Sequence, residues 1–162
     1  MPQDDTQETR ELKELRRAMR EGRAPLIEAV RSAYQPYLIA MKGWERKNAE
    51  LREQVGLLSN EFSTKGALLR ASSRKAQEGG SGLVELYKEL SKQAKAVSSL
   101  IDKELPNLAK LYEPVGELHA AYQQAMTAYE AYMGTWKDKL PDSDLSGRAL
   151  ELALEPIERS LR

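Results

Sequence analysis

Few residues of this chain are suited to catalysis or metal binding. It has one histidine, His119, and no cysteine, so a cysteine nucleophile and thiolate metal sites are excluded. Three residues before His119 stands Gly116, so the Glu-x-x-His motif of di-iron helical bundles is absent. The segment 79–82, Gly-Gly-Ser-Gly, is not followed by the Lys-Ser/Thr pair of a phosphate-binding loop. We therefore expect no catalytic, cofactor or metal site, and a protein that is not an enzyme.

Charge is the one chemical property that this sequence concentrates in one region. The formal net charge is zero, yet residues 65–110 hold nine basic and five acidic residues, and residues 111–162 hold five basic and nine acidic ones. A basic surface attracts anionic lipid headgroups, nucleic acid or acidic proteins. The alternative is an ordinary solvated lysine face. The candidate residues, here called the basic set, are Arg70, Arg74, Lys75, Lys88, Lys92, Lys95, Lys103 and Lys110.

Two long apolar stripes indicate the elements that carry these charges. From Val30 to Leu69, and again from Leu83 to Trp136, apolar residues recur at steps that alternate between three and four. The charged or amide residues within the stripes are Asn48, Lys65 and Glu104. This spacing places each stripe on one face of a helix. We therefore predict two long helices that pack together along their stripes.

Glycine and proline residues predict where the helices begin and end. Gly79 and Gly80 favour a helix end and Ser81 can cap the next helix, so a short turn should make the two long helices antiparallel neighbours. Gly22 is expected to stop an N-terminal helix, and Pro25 suits the first turn of the next one. The predicted helices span residues 5–21, 25–70, 83–139 and 144–161, with a tip loop at 71–82, all in a single domain of residues 1–162.

Four further prolines, Pro36, Pro106, Pro114 and Pro156, fall inside the helical pattern. Each removes a backbone hydrogen bond and bends or breaks a helix. None occupies a stripe position, and the stripes continue in phase across the prolines. We expect bent helices rather than breaks, with a break at Pro36 or Pro156 as the exception.

Asn48 occupies an a-type position of the first stripe, because the step from it to Leu51 is three residues. A buried Asn at such a position sets the register and the partner number of coiled coils. The alternative is an Asn at the edge of the interface that contacts water.

Large aromatic residues gather where the predicted hairpin is open. If the two arms pair about the turn, the aromatic residues of the first arm lie near those of the second. Such a cluster is either a hydrophobic core or a groove that binds a peptide or another ligand. Its members are Tyr34, Tyr37, Trp44, Tyr122, Tyr129, Tyr132 and Trp136.

Together these patterns predict an all-α fold. We expect an elongated antiparallel helical hairpin, similar to a coiled coil, with short flanking helices that form a three- or four-helix bundle at its open end. Leu38, Leu68, Leu86, Leu100 and Leu105 widen the stripes beyond what two bare arms can bury. The widened stripes predict a homodimer.

The leading functional hypothesis is a non-catalytic structural or adaptor protein, a scaffold that acts through helix–helix contacts with a protein partner. The alternative is a peripheral membrane-surface binder, a curved helical dimer that uses its basic distal tip. Nucleic-acid binding comes third, because no exposed aromatic residues are interleaved with the basic ones. The N-terminus lacks an apolar segment and no apolar run approaches the roughly 20 residues of a membrane span. We therefore expect a cytoplasmic location.

Overall fold

The computed structural model describes residues 4–75 and 82–162, and the described chain is entirely helical apart from short turns. Helix α1 spans Asp4–Lys75 and helix α2 spans Gly82–Gly134. A 3₁₀ turn at Asp142–Leu145 leads into helix α3, Arg148–Ser160. No strand occurs in these ranges. The predicted all-α fold is confirmed, as is the contact between the two long helices.

The chain divides into two compact units. The first unit contains the residues up to Lys42 and those from Glu113 onward, and the second unit is Gly43–Tyr112. Each long helix therefore contributes to both units, whereas α3 belongs to the first unit alone.

The first unit is built around a hydrophobic core that all three helices share. Met19 and Val30 of α1 are 1% and 0% exposed, and they pack with buried residues of α2 and α3. The buried core residues are Met19, Val30, Tyr129, Met133, Leu140 and Leu150. In α3, Leu150 and Ile157 are seven residues apart, which places both on the face that turns inward. Arg16 also holds the 3₁₀ turn to α1, because its Nε lies 2.8 Å from Oδ2 of Asp144.

The second unit consists of α1 and α2 alone, and polar pairs show the direction of its helices. Nζ of Lys65 lies 3.1 Å from a carboxylate oxygen of Glu89, and Nζ of Lys47 lies 3.5 Å from one of Glu104. Between these two pairs, Nε2 of Gln93 donates a hydrogen bond of 3.0 Å to Glu61. Residue numbers rise along α1 as they fall along α2, so the two segments run antiparallel within this unit.

The predicted helix stop at Gly22 is wrong, because α1 continues through Gly22, Pro25 and Pro36 without interruption. The core explains why a single helix forms. Met19 precedes Gly22 and Val30 follows Pro25, and both side chains are buried in the same core. Burial on both sides of the glycine and proline outweighs the roughly 1 and 3 kcal/mol that these residues cost in a helix.

Other boundaries also differ from the prediction. Helix α1 extends beyond Arg70 to Lys75, and α2 ends at Gly134 rather than at residue 139. Trp136 therefore lies in a turn, where i→i−3 backbone hydrogen bonds such as that from Trp136 N to Met133 O replace the i→i−4 pattern of the α-helix. Pro156 lies inside α3, so the breaks expected at Pro36 or Pro156 do not occur. The turn predicted from residues 79–81 lies outside the described residues.

Candidate interaction surface

The aromatic residues that the sequence grouped together form separate groups. In the first unit, the rings of Tyr37 and Tyr122 are parallel within 7° at a centroid distance of 5.7 Å, and Tyr34 lies 5.1 Å from Tyr122. His119, which the sequence analysis did not include, lies 5.1 Å from Tyr37. This group joins α1 to α2, as predicted for Tyr34, Tyr37 and Tyr122.

Trp44 does not join that group. It belongs to the second unit, where it meets Tyr112 edge to face at 5.2 Å. The predicted proximity of Trp44 to Tyr122, Tyr129, Tyr132 and Trp136 is therefore wrong. The polar pairs Lys65–Glu89 and Lys47–Glu104 set the offset of the two helices in this unit, and that offset brings Trp44 to Tyr112 rather than to aromatic residues further along α2.

The remaining aromatic residues belong to the core of the first unit. Tyr129 is buried, and Tyr132 contacts Trp136 edge to face at 6.1 Å. The Tyr132 hydroxyl is 3.1 Å from the backbone oxygen of Met19, to which it donates a hydrogen bond. These contacts place Tyr129, Tyr132 and Trp136 in or against the core of the first unit.

A hydrogen bond ties α3 to the aromatic group of the first unit. The Tyr34 hydroxyl donates to Oε1 of Glu158 at 3.0 Å. The pKa of Tyr34 is raised to about 12, mainly by burial and secondly by the hydrogen bond to the Glu158 carboxylate. Burial also raises the pKa of Tyr122, with smaller contributions from Tyr37 and Glu158. Tyr34 is therefore a neutral hydrogen-bond donor at physiological pH.

The lysines of α2 in the basic set share one exposed face of the helix. Lys88, Lys92, Lys95, Lys103 and Lys110 follow steps of three, four, seven and eight residues, which keep them aligned. Nζ of Lys88 lies 3.6 Å from Oε1 of Glu85. No carboxylate within the described residues lies within 4 Å of the other four lysines. Arg70 is exposed, and for Arg74 and Lys75 the structure describes the backbone but not the side chain.

Asn48 is half-buried in the second unit. Its side chain makes no hydrogen bond to any part of the chain that the structure describes. The proposed register role of Asn48 stays a prediction.

The second unit exposes apolar side chains that the stripe periodicity predicts to be buried. Tyr87 belongs to the second stripe but is 66% exposed, and Phe62 and Leu111 are exposed as well. A strict 3.5-residue repeat drifts around a straight helix of 3.6 residues per turn. Near its beginning α2 consequently turns Leu86, Leu90 and Gln93 inward in place of Tyr87. Tyr112, also exposed, had not been singled out, although it lies seven residues after Leu105.

The described residues contain no group of three or more His, Cys, Asp or Glu side chains placed to hold a metal ion. None of their helices combines the length and apolar character of a membrane span.

No protein-family model, no curated protein and no solved structure matches this chain.

Proposed function

We propose that this is a non-catalytic structural or adaptor protein that acts through helix–helix contacts as a homodimer. In this proposal α1 and α2 form an antiparallel, coiled-coil-like hairpin, and the second unit is the part that meets a partner. The first unit, with α3 as its third helix, supplies the stable base. A cytoplasmic location is part of the same proposal.

The observation that carries the proposal is the uneven burial of the two units. Among the described residues the buried hydrophobic side chains number nine, and Leu51 alone of these lies in the second unit. Of ten large hydrophobic side chains that are exposed, eight lie in the second unit. These eight are Leu57, Phe62, Leu68, Val84, Tyr87, Leu105, Leu111 and Tyr112.

This imbalance favours a partner for physical reasons. Apolar surface removed from water stabilises an assembly by roughly 25 cal/mol per Å². Large contiguous patches of exposed apolar surface are rare on monomeric proteins, and they mark sites that interact with other proteins or with membranes. A two-helix segment has no third layer of its own to cover these side chains, whereas a second helical segment from another copy supplies one.

Sedimentation equilibrium tests the homodimer directly. The chain mass is 18.3 kDa, and we expect twice that mass at micromolar concentration, with dissociation on dilution. Mixing with an equal amount of a maltose-binding-protein fusion of the same chain should yield a heterodimer of intermediate mass. A protein that sediments as a monomer over the whole accessible concentration range contradicts the proposal.

The lysine face of α2 favours a second candidate function, binding to an anionic membrane surface. Four exposed lysines with no carboxylate within 4 Å in the described residues are available to an anionic partner. Each basic residue near an anionic surface contributes about 1 kcal/mol, and salt screens this attraction. Nucleic acid, the third candidate, would use the same lysines. The expectation that no exposed aromatic residues accompany them is wrong, because Tyr87 and Tyr112 are 66% and 50% exposed near Lys88 and Lys110.

Vesicle co-sedimentation separates these candidates from the leading proposal. A membrane binder should pellet with phosphatidylserine vesicles at low salt, remain in solution with neutral vesicles, and be released as salt rises. A variant that combines Lys88→Glu, Lys92→Glu and Lys95→Glu should lose this vesicle binding. The matched control combines Arg10→Glu, Lys13→Glu and Arg20→Glu, which change the net charge equally on exposed positions of the first unit. If the parent protein does not bind phosphatidylserine vesicles at low salt, the membrane function is eliminated. If both variants lose vesicle binding equally, net charge rather than the lysine face accounts for the binding.

A further inference from the structure

The two sides of the helix pair in the second unit differ in chemistry. One side carries the polar pairs between Lys65 and Glu89, between Glu61 and Gln93, and between Lys47 and Glu104. On another side an open groove of about 310 Å³ is lined by Ser59, Phe62 and Ser63 of α1 with Ala94 and Val97 of α2. The groove is lined by apolar or small side chains and contains no charged residue.

Helix α2 extends this apolar surface in both directions from Ala94. Tyr87 precedes Ala94 by seven residues, Leu105 follows it by eleven, and Tyr112 follows Leu105 by seven. Steps of seven and eleven residues return to the same face of a helix. Tyr87, Leu105 and Tyr112 are 66%, 51% and 50% exposed. We call the surface formed by Phe62, Tyr87, Ala94, Leu105 and Tyr112 the apolar face.

We propose that the apolar face is the dimer interface, and that its occupant is the same face of a second copy of this chain. The proposal rests on the homodimer proposed above and adds the surface and the geometry. The two-fold axis runs parallel to the helices of the second unit, so that α2 of each copy lies on α1 of the other.

Side-chain size is complementary in this arrangement. The pair Lys65–Glu89 shows which residues stand at the same height along the antiparallel helices, and it sets Tyr87 level with Gly66 and Ala67. A Cβ atom at Gly66 would meet nothing within 4 Å, so the space over it is open. The large Tyr87 of one copy therefore lies over small residues of the other copy's α1. The Glu61–Gln93 contact places Phe62 of that helix within one helical turn of the small Ala94, and both residues line the groove.

The area of the apolar face matches that of a stable dimer interface. Tyr87 to Tyr112 covers about 38 Å of helix at ~1.5 Å per residue, and two adjacent helices are about 20 Å wide. Their product is about 760 Å² per copy, close to the ~800 Å² per partner of a standard interface. The lysines that follow Lys88 on α2 occupy a different face of that helix, so this dimer leaves them in solvent.

Single substitutions on exposed residues test the interface without disturbing the fold. Ala94→Glu and Leu105→Glu each place a carboxylate in the proposed interface, and we expect the dimer dissociation constant to rise at least tenfold in each. The matched control is Leu57→Glu, which changes a leucine that is 61% exposed and aligned with Glu61 on the polar side. It should leave the dissociation constant within a factor of two. Circular dichroism verifies that all three variants keep the helical content of the parent protein.

The absence of native cysteine allows disulfide trapping to test the geometry. Tyr87→Cys protein mixed with Gly66→Cys protein should form a mixed covalent dimer on oxidation, and Tyr87→Cys protein alone should not. Efficient cross-linking of Tyr87→Cys protein to itself overturns the proposed axis.

The outcomes distinguish this inference from the proposal beneath it. A parent protein that stays monomeric overturns both. A dimer that tolerates Ala94→Glu and Leu105→Glu as well as it tolerates Leu57→Glu overturns the apolar face alone, and the homodimeric adaptor remains.

Discussion

Gly22 offers the sharpest test of how the first unit is packed. A Cβ atom added at Gly22 would lie 2.1 Å from the hydroxyl oxygen of Tyr132 and 2.7 Å from its Cζ, whereas ordinary contact begins at 3.4 Å. Tyr132 must therefore move away if Gly22 becomes alanine. Its hydroxyl donates to the backbone oxygen of Met19, and its ring contacts Trp136, so both contacts are disturbed by the movement.

The expected magnitude follows from three contributions. Replacing glycine by alanine inside a helix stabilises it by about 1 kcal/mol. Loss of the Tyr132 hydrogen bond costs about 1 kcal/mol, and overpacking of a formed core costs about 1–3 kcal/mol. The net effect of Gly22→Ala should be a loss of about 1–3 kcal/mol in the free energy of unfolding. For a chain of this length that lowers Tm by about 2–12 °C.

Gly56→Ala is the matched control in the same helix. A Cβ atom at Gly56 would meet nothing within 4 Å, so helix propensity alone acts and the variant should gain up to about 1 kcal/mol. Both variants are compared by thermal and urea unfolding at equal protein concentration, because dimerisation makes Tm depend on concentration. In a Tyr132→Leu background, Gly22→Ala should lose most of its penalty. If Gly22→Ala stabilises the protein as Gly56→Ala does, the packing argument is refuted.

Two further predictions concern Tyr34 and Asn48. The pKa of Tyr34 is raised to about 12, so its contribution to stability is full below pH 10 and is lost as the pH rises through 12. In the Glu158→Gln variant the pKa of Tyr34 should fall toward 10 without reaching it, because burial remains. The titration is followed by NMR of ¹³Cζ-labelled tyrosine. An unchanged pKa contradicts the role of Glu158. Asn48→Leu should raise Tm yet broaden the distribution of oligomers in sedimentation experiments, as expected for an Asn that sets register. Unchanged Tm and a uniform dimer would place Asn48 outside the interface.

The charge-reversed lysine variant also tests which face of α2 carries the self-association. The lysine substitutions at positions 88, 92 and 95 should leave self-association intact, because those lysines lie off the apolar face of α2. A charge-reversed protein that no longer dimerises would show that the lysine face, rather than the apolar face, carries the self-association.

The sequence by itself determined the class of the fold and the presence of two long helices. Helical periodicity is a local property, because residues three and four apart share a face whatever the rest of the chain does. That is why the long stripes identified α1 and α2. It is also why the face that contains Val30, Leu51 and Val115 was assigned correctly, since these residues are buried as expected.

The tertiary structure decided the features that depend on residues distant in sequence. Gly22 has the signature of a helix stop, yet Tyr132, 110 positions away, lies where a side chain at Gly22 would be, and the helix continues. Trp44 meets Tyr112 instead of the aromatic residues further along α2, because the relative offset of two helices is set by their whole contact. The exposure of Tyr87 has the same origin: over many turns a small drift of the stripe decides which side chain faces inward. Periodicity predicts which face of a helix is buried, whereas only the packing of the helices determines which residues that face contacts.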